Sequence, residues 1–471
     1  MQYHLKISGE IRLTDLLGQH NILLDGKCGG RGQCRGCRVK IISGTYLSDG
    51  KICSGPQTVK ACQTLMLEGD CVIECDPLDT RCSADPRIDI GPLPEISHPV
   101  IALDLGSTTI CGVKICNGQA GRIVSTVNRQ KSLGDNVLSR ISRVIDNPDD
   151  LFILQKQLLD SIQCVLDQLD PTGVQTIAAA GNTVISHLLH GFDPRSMGHS
   201  PFSPLHLTFP IRQTTEFGLT APEAEILTAP AASGFIGGDI ISALGEITLR
   251  ENEMLLDIGT NCEIVFNASG QLISASAAAG PAFEGAGIAC GMAAAPGAVD
   301  HLFDDGSYSV IGGVAPLGIC GSALVDTLAI WRRNGLIDRY GRFTSQTGQQ
   351  EIAPGVFLSE AEIAELLCAK SAVSAGIKTL CELSGVPVKK IYLAGNFASY
   401  LDLKNAVAIG LLPDVEINAA GNTSLLGAVH LAVSGKDHLN KLEKIGQNIR
   451  NIELGNNRTF TRFFANDMTL E

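Results

Sequence analysis

Cys28, Cys34 and Cys37 stand in the string CGGRGQCRGC at C-x5-C-x2-C spacing, and Cys62 follows after 24 more residues. Three thiolates on one short loop, with a fourth at a distance, are ligands for iron–sulfur clusters or for zinc. Gly29, Gly30, Gly32 and Gly36 lie between them. They let the backbone curl around a metal core and aim its amides at sulfur. Eight of the 16 cysteines (Cys28, Cys34, Cys37, Cys53, Cys62, Cys71, Cys75 and Cys82) precede residue 83. In a long chain without a secretory leader, such clustering favours metal or redox chemistry over disulfides. Four cysteines on structural zinc are the alternative, but zinc ribbons usually pair two C-x2-C knuckles and only one is present. Cys71, Cys75 and Cys82 are surplus to four ligands. The eight later cysteines are scattered through apolar segments and read as small buried hydrophobes.

A second chemistry lies further along. Ile101-ALDLGSTT-Ile110 is an apolar strand that ends in Asp104, turns at Gly106, Ser107, Thr108 and Thr109, and resumes as a strand. Leu255-LDIGTN-Cys262 repeats the plan with Asp257, Gly259, Thr260 and Asn261, 153 residues later. Glycine lets backbone N–H groups approach phosphate oxygens, hydroxyls add donors, and an Asp at the strand end can orient hydrated Mg²⁺. One such turn is common in hairpins. Two matched ones point to a nucleotide. A third strand, Ile391–Ala394, runs into Gly395 and Asn396, which suit the adenosine side of such a site. A small-residue segment, Gly421-NTSLLGAVHLA-Val433, reads as a helix that closes it. Glu284 and Asp239 are candidates for positioning water or helping Mg²⁺, and a structural or capping role is weighed equally. His187 and His190, spaced i, i+3 on a predicted helix, read as structural. The glycines around Gly285 and Gly287 do not form the dinucleotide fingerprint.

These residues need elements to hold them. Short strands such as Tyr3–Ile7 and Arg38–Ile42 frame the cysteines. The stretch Asp76–Pro99 carries five prolines and little apolar periodicity, so it reads as an extended linker. Beyond it, strands are expected at Val100–Leu105, Thr176–Ala180, Met254–Ile258, Glu263–Phe266 and Lys390–Ala394. Leu151, Leu154, Leu158, Ile162, Val165 and Leu169 recur at helical spacing between Pro148 and Leu169. A longer helix is expected from about Ser359 to Leu383, with Ser359 and Glu362 as capping box and Gly385 as stop. Mixed strands and helices over the rest of the 471 residues indicate α/β architecture in two lobes. No sequence repeat of 20–50 residues is evident. The expected domains are residues 1–76, a linker 77–98, and residues 99–471.

The net charge of −13 disfavours nucleic acid or an anionic membrane as main partner. A hydrophobic fraction of 44% suits a chain with real cores. The longest uncharged stretch is too rich in Ser, Ala and Gly for a membrane span. The expected location is the cytoplasm.

The N-terminal module resembles the ferredoxin-like β-grasp domain that holds a [2Fe–2S] cluster, with one residue more in the first cysteine gap than the plant-type spacing. The string KACQT (Lys60–Thr64) followed by Glu68-Gly-Asp70 is similar to that family's fourth-ligand region, which implies Cys62 rather than Cys53. The paired turns resemble the actin-like (ASKHA, ribonuclease H-like) ATPases, whose duplicated lobes clamp ATP and Mg²⁺. The segments Ala178–Pro194, Gly237–Ile240, Ala277–Ile288 and Gly318–Asp326 resemble motifs of the reductive activators of corrinoid proteins, which join these two domains in this order. Longer members carry extra sequence between the domains, so roles assigned to that segment do not transfer. The resemblance implies an ATPase that passes one electron from its [2Fe–2S] cluster to a corrinoid protein, taking Co(II) to Co(I), with a low-potential donor upstream. A homodimer is compatible with this reading. Other readings are an ATP-driven activator of another metalloenzyme, a small-molecule kinase with a redox appendage, and a sensor.

Overall fold

The computed structural model describes all residues except 27, 35, 79, 81–82, 85–89, 346 and 396. Cys82 and Asn396, singled out above, lie outside the described residues. Two compact units make up the chain: residues 1–239 with 428–440, and residues 240–427 with 441–471.

The first unit opens with β1 (Gln2–Ile7), α1 (Leu13–Gln19), β2 (Arg38–Ser43), β3 (Gln57–Lys60) and β4 (Gly69–Glu74). The strands form an antiparallel sheet in the order β1-β4-β2-β3. Alternation drives it: Val39 and Ile41 of β2 point inward while Arg38 and Lys40 point to solvent. Leu13, Leu16 and Leu17 of α1 share one core with Val39, Ile41 and Ile73. Each such fully buried aliphatic side chain contributes roughly 1.5–3 kcal/mol. The loop between α1 and β2 carries the first three cysteines.

The same unit continues with β5 (Val100–Leu105), β6 (Thr109–Cys116), β7 (Gln119–Val127), α2 (Val137–Asp146), α3 (Asp150–Leu169), β8 (Thr176–Gly181), α4 (Thr183–His190) and β9 (Glu225–Thr228). β5, β6 and β7 form an antiparallel meander, and β8 and β9 extend the sheet parallel to β5. The expected stripe on α3 is buried: Leu154, Leu158, Ile162 and Val165 pack with Ile101, Leu103 and Val124. Part of the linker is paired to the sheet. Ser83–Ala84 pairs with the open edge of β7, because a passing segment satisfies backbone groups that an edge strand leaves unpaired.

In the second unit, β10 (Glu253–Ile258), β11 (Cys262–Ala268) and β12 (Gln271–Ala277) form another antiparallel meander. Two helices follow, α5 (Gly321–Arg333) and α6 (Glu360–Ser384), then β13 (Lys390–Ala394), β14 (Glu416–Gly421) and the start of α7 (Thr423–Gln447), whose residues 428–440 belong to the first unit. β13 and β14 extend the sheet parallel to β10. The order β14-β13-β10-β11-β12 reproduces β9-β8-β5-β6-β7 of the first unit. The duplication that the actin-like resemblance implies is thus present in topology. α6 starts as the sequence requires, with Ser359 and Glu362 forming a reciprocal capping box, and it stops at Gly385 in left-handed conformation.

Candidate functional site

The cysteines come together in pairs. Cys37 Sγ lies 3.4 Å from Cys62 Sγ, and both residues are buried. The carbonyl of Cys37 accepts from Ala61 N at 3.0 Å, which seats the Cys62 segment beside the loop. The hydrogen bond from Cys37 favours the Cys62 thiolate and lowers its pKa to about 6, against burial, while Cys37 is pushed up. Cys28 and Cys34 interact in the same way. Burial raises both, but backbone donors from Cys34 and Gln33 and the Cys34 thiol bring Cys28 below the ordinary thiol range. Two thiols and two thiols suit a two-iron cluster, in which each iron takes two protein ligands. Among the described residues, no three His, Cys, Asp or Glu converge as a single metal ion requires. Around the loop, Lys60 Nζ donates to Gly32 O at 2.5 Å and Gln63 Nε2 to Gly30 O at 2.6 Å. At Gly36 a side chain has no room, since a Cβ would lie 2.0 Å from Asp25 O. Cys71 and Cys75 are buried in the module's core, and Cys53 sits on the strand Lys51–Ser54.

The two Asp–Gly turns occupy the same place in their sheets. Gly106–Thr108 joins the central strand β5 to β6, and Gly259–Asn261 joins the central strand β10 to β11. Asp104 stands between Cys111 of β6 and Ala180 of β8, with the Cys111 thiol 3.8 Å from its Oδ2. Asp257 stands between Glu263 of β11 and Ala394 of β13. Thr109 opens β6, opposite Val127. In the second unit the turn gathers further residues. Thr260 Oγ1 donates to Glu284 Oε1 at 2.7 Å. Gly395 has φ +89°, and a Cβ there would lie 2.5 Å from Asp257 Oδ1. A side chain at Gly395 would therefore meet the carboxylate while held in a backbone conformation that L residues rarely adopt. Thr260, Asn261, Glu284, Asp257 and Gly395 thus form one constellation. Asp104, Gly106, Ser107, Thr108 and Thr109 form its counterpart in the first unit. Asp239 lies in the first turn of the helix Gly238–Glu246. The small-residue helix is α7, capped by Asn422 Oδ1, which accepts from Leu425 N at 2.9 Å.

His187 and His190 are structural, as their spacing suggested. His187 Nδ1 lies 2.7 Å from Thr183 O, and His190 Nε2 lies 2.9 Å from Thr228 Oγ1. Burial, joined by the positive charge of Arg212, lowers the His190 pKa to about 3.

Sequence reasoning missed the residues behind the first turn. Asn128 Nδ2 donates to Gly106 O at 3.0 Å and Arg140 Nη2 to Ser107 O at 2.5 Å. Asn128 and Arg140 lie 22 and 33 residues from those partners with no motif around them. Only the fold reveals them. A signal was available for the strand ends: the tripeptide Ala-Gly-Asn follows β-strand sequence at Ala180, Ala394 and Ala420.

Comparison with known proteins matches three family models along the chain. Residues 6–67 match the 2Fe-2S iron-sulfur cluster binding domain, residues 100–252 the RACo middle region, and residues 251–471 the C-terminal domain of RACo, the ASKHA domain. The chain is 28% identical to the corrinoid activation enzyme RamQ of Eubacterium limosum, over 80% of this chain and 71% of that protein. It is 25% identical to a [Co(II) methylated amine-specific corrinoid protein] reductase of Methanosarcina barkeri, over 78% and 76% of the two chains. A solved reductive activator for corrinoid,iron-sulfur protein superposes with a TM-score of 0.71 at 25% identity, covering 98% of this chain and 95% of the other. The fold is that of a ferredoxin-type module followed by an actin-like ATPase. No helix among the described residues is long and apolar enough to cross a membrane.

Proposed function

We propose a function that starts from family membership: this chain belongs to the RACo family, with its cluster domain, middle region and ASKHA domain in order. It is an ATP-dependent reductive activator of a corrinoid protein. A low-potential donor gives up one electron, and the corrinoid cobalt gains it, passing from Co(II) to Co(I). The relatives' names carry the corrinoid partner. The observation that carries the coupling is that one chain holds both a set of four thiols, three on one loop, and two Asp–Gly turns at equivalent strand ends.

Each part has its residues. Residues 1–76 form the cluster domain, 77–98 the linker and 99–471 the ATPase. Cys28 with Cys34, and Cys37 with Cys62, would each supply two thiolates to the [2Fe–2S] cluster. When bound, the [2Fe–2S] cluster stores a single electron. Gly106, Ser107, Thr108 and Thr109 in the first unit, and Gly259, Thr260 and Asn261 in the second, would each offer amides and hydroxyls to phosphate oxygens. Asp104 and Asp257 would each orient the water shell of Mg²⁺, which would supply positive charge to the phosphates of ATP. Gly395 and Asn396 take the adenosine side. Glu284, held by Thr260, is placed to orient water at the second turn.

The need for ATP follows from redox arithmetic. Co(I) states are hard to reach, and each 100 mV of adverse potential costs about 2.3 kcal/mol per electron. Nucleotide-dependent states of the activator supply this by binding the more reducible corrinoid state preferentially. The compartment is the cytoplasm.

The test is a corrinoid-reduction assay with the cluster-loaded protein, a chemical reductant and a corrinoid protein in its Co(II) state. Co(I) absorbance should accumulate with MgATP and not without it. Equal accumulation in both would refute the assignment.

A further inference from the structure

Arg140 is fully buried in the second turn of α2. A buried guanidinium is costly unless its donors are satisfied. Burial pushes its pKa down to about 9, with the charge of Asp135 opposing. Its three nitrogens all find oxygen. Nε donates to Gly134 O at 3.0 Å, Nη1 to Gln130 Oε1 at 3.0 Å, and Nη2 to Ser107 O at 2.5 Å.

That last bond reaches the first Asp–Gly turn. Beside it, Asn128 Nδ2 holds Gly106 O at 3.0 Å, and Asn128 N holds Thr108 O at 2.8 Å. In a planar trans peptide the N–H points opposite to the carbonyl. Tying back the carbonyls of Gly106 and Ser107 therefore turns the N–H groups of Ser107 and Thr108 to the other side. Successive N–H groups aimed one way are what an anion requires.

The same helix also touches the cysteine loop. A Cβ on Gly29 would lie 3.1 Å from Ser139 O, and a Cβ on Gly30 would lie 3.0 Å from Arg143 Nη1. Ser139 and Arg143 flank Arg140 within about one helical turn. Arg143 is itself fixed, since its Nε meets Asp150 Oδ2 at 2.7 Å with both side chains buried. The phosphate turn and the backbone just after Cys28 are thus joined by one guanidinium and one turn of α2.

We infer that Arg140 is a positioning residue that couples nucleotide phosphate at Gly106–Thr108 to the cluster loop at Gly29–Gly30 through α2. This rests on the nucleotide reading of the turn given above. Phosphate drawing on the Ser107 and Thr108 amides shifts the peptides that Arg140 holds. The shift bears on Ser139 and Arg143, and through them on the loop that carries Cys28. Linkage makes the effect reciprocal: the redox state of the cluster changes nucleotide affinity by the factor that nucleotide changes the cluster's reduction equilibrium.

The experiment measures the Kd of a non-hydrolysable MgATP analogue for the full cluster-loaded chain, oxidised and reduced, and the cluster midpoint potential with and without the analogue. Wild type should show at least a threefold difference in Kd and a matching shift of about 28 mV for one electron. Arg140→Lys, which keeps the charge but loses the three-way fork, should bring the Kd ratio to one and abolish the shift. Arg143→Lys should do the same with its phosphate turn untouched, and it serves if the first variant fails to fold. A wild-type Kd indifferent to redox state overturns the coupling, and so does a wild-type ratio in either variant. Failure of the nucleotide reading looks different. The wild type would then bind no analogue, or Gly106→Ala, whose Cβ would lie 2.4 Å from Thr109 O, would bind it unchanged.

Discussion

Cys62 is 5% exposed with its sulfur 3.4 Å from Cys37, whereas Cys53 donates from its strand to Lys51 O at 3.6 Å. Cys62→Ser should therefore abolish or reshape the visible absorption of the reconstituted protein, and Cys53→Ser should leave it intact. The reverse pattern would overturn the ligand assignment. Iron analysis should give two irons per chain, and Cys71→Ser or Cys75→Ser should not change that number, because both thiols belong to the module's core. The three-cysteine loop was legible because its thiols are local and their spacing is chemical. The two-by-two pairing was not, since it depends on the fold bringing Ala61 under the Cys37 carbonyl. Arg140 and Asn128 were invisible for a different reason. They act on backbone carbonyls, and a carbonyl partner leaves no trace in residue type.

Strand ends and helix ends carry the next set of expectations. Gly395 closes β13 beside Asp257, where any Cβ meets the carboxylate at 2.5 Å. Gly395→Ala adds that overlap to a left-handed backbone penalty of about 1–2 kcal/mol. ATP hydrolysis should fall by roughly tenfold or more, while the cluster spectrum stays unchanged. Wild-type hydrolysis would remove this turn from the site. α4 makes a prediction about pH. His190 is buried neutral, its pKa lowered to about 3 by burial and by nearby positive charge, so the unfolded chain binds the extra proton. Stability should fall as pH drops from about 6.5 towards 3, by up to about 1.4 kcal/mol per pH unit for this one group. Urea unfolding between pH 7 and 4.5 should show a shallower fall in His190→Gln, and an unchanged slope would contradict the account. These elements were legible where pattern and capping agree. β5 and β13 fall on the predicted residues, and α6 begins and ends at its caps. The linker's short strand was not, because its two residues gain their structure only from the open edge of β7.

The duplication appears only in the whole molecule. Two sheets of the same strand order carry their Asp–Gly turns at the same junction, yet the sequence shows no repeat. Topology asks only for apolar strands and a tight turn, so identity can drift while architecture stays. On this plan the cluster and the ATPase should fail separately. Cys34→Ser should lose corrinoid reduction and keep ATP hydrolysis. The converse tests the central claim, that hydrolysis drives the electron transfer. Asp104→Ala and Asp257→Ala each remove a carboxylate proposed above to orient hydrated Mg²⁺ and leave the cysteine loop alone. Losing such electrostatic stabilisation costs several kcal/mol of barrier, roughly a hundredfold in rate or more. The decisive measurement is Co(II)-to-Co(I) turnover by both Asp variants at saturating ATP, with the cluster already reduced. Turnover should fall in step with hydrolysis while the cluster accepts its electron normally. Wild-type turnover in both variants would mean that nucleotide hydrolysis does not drive this electron transfer.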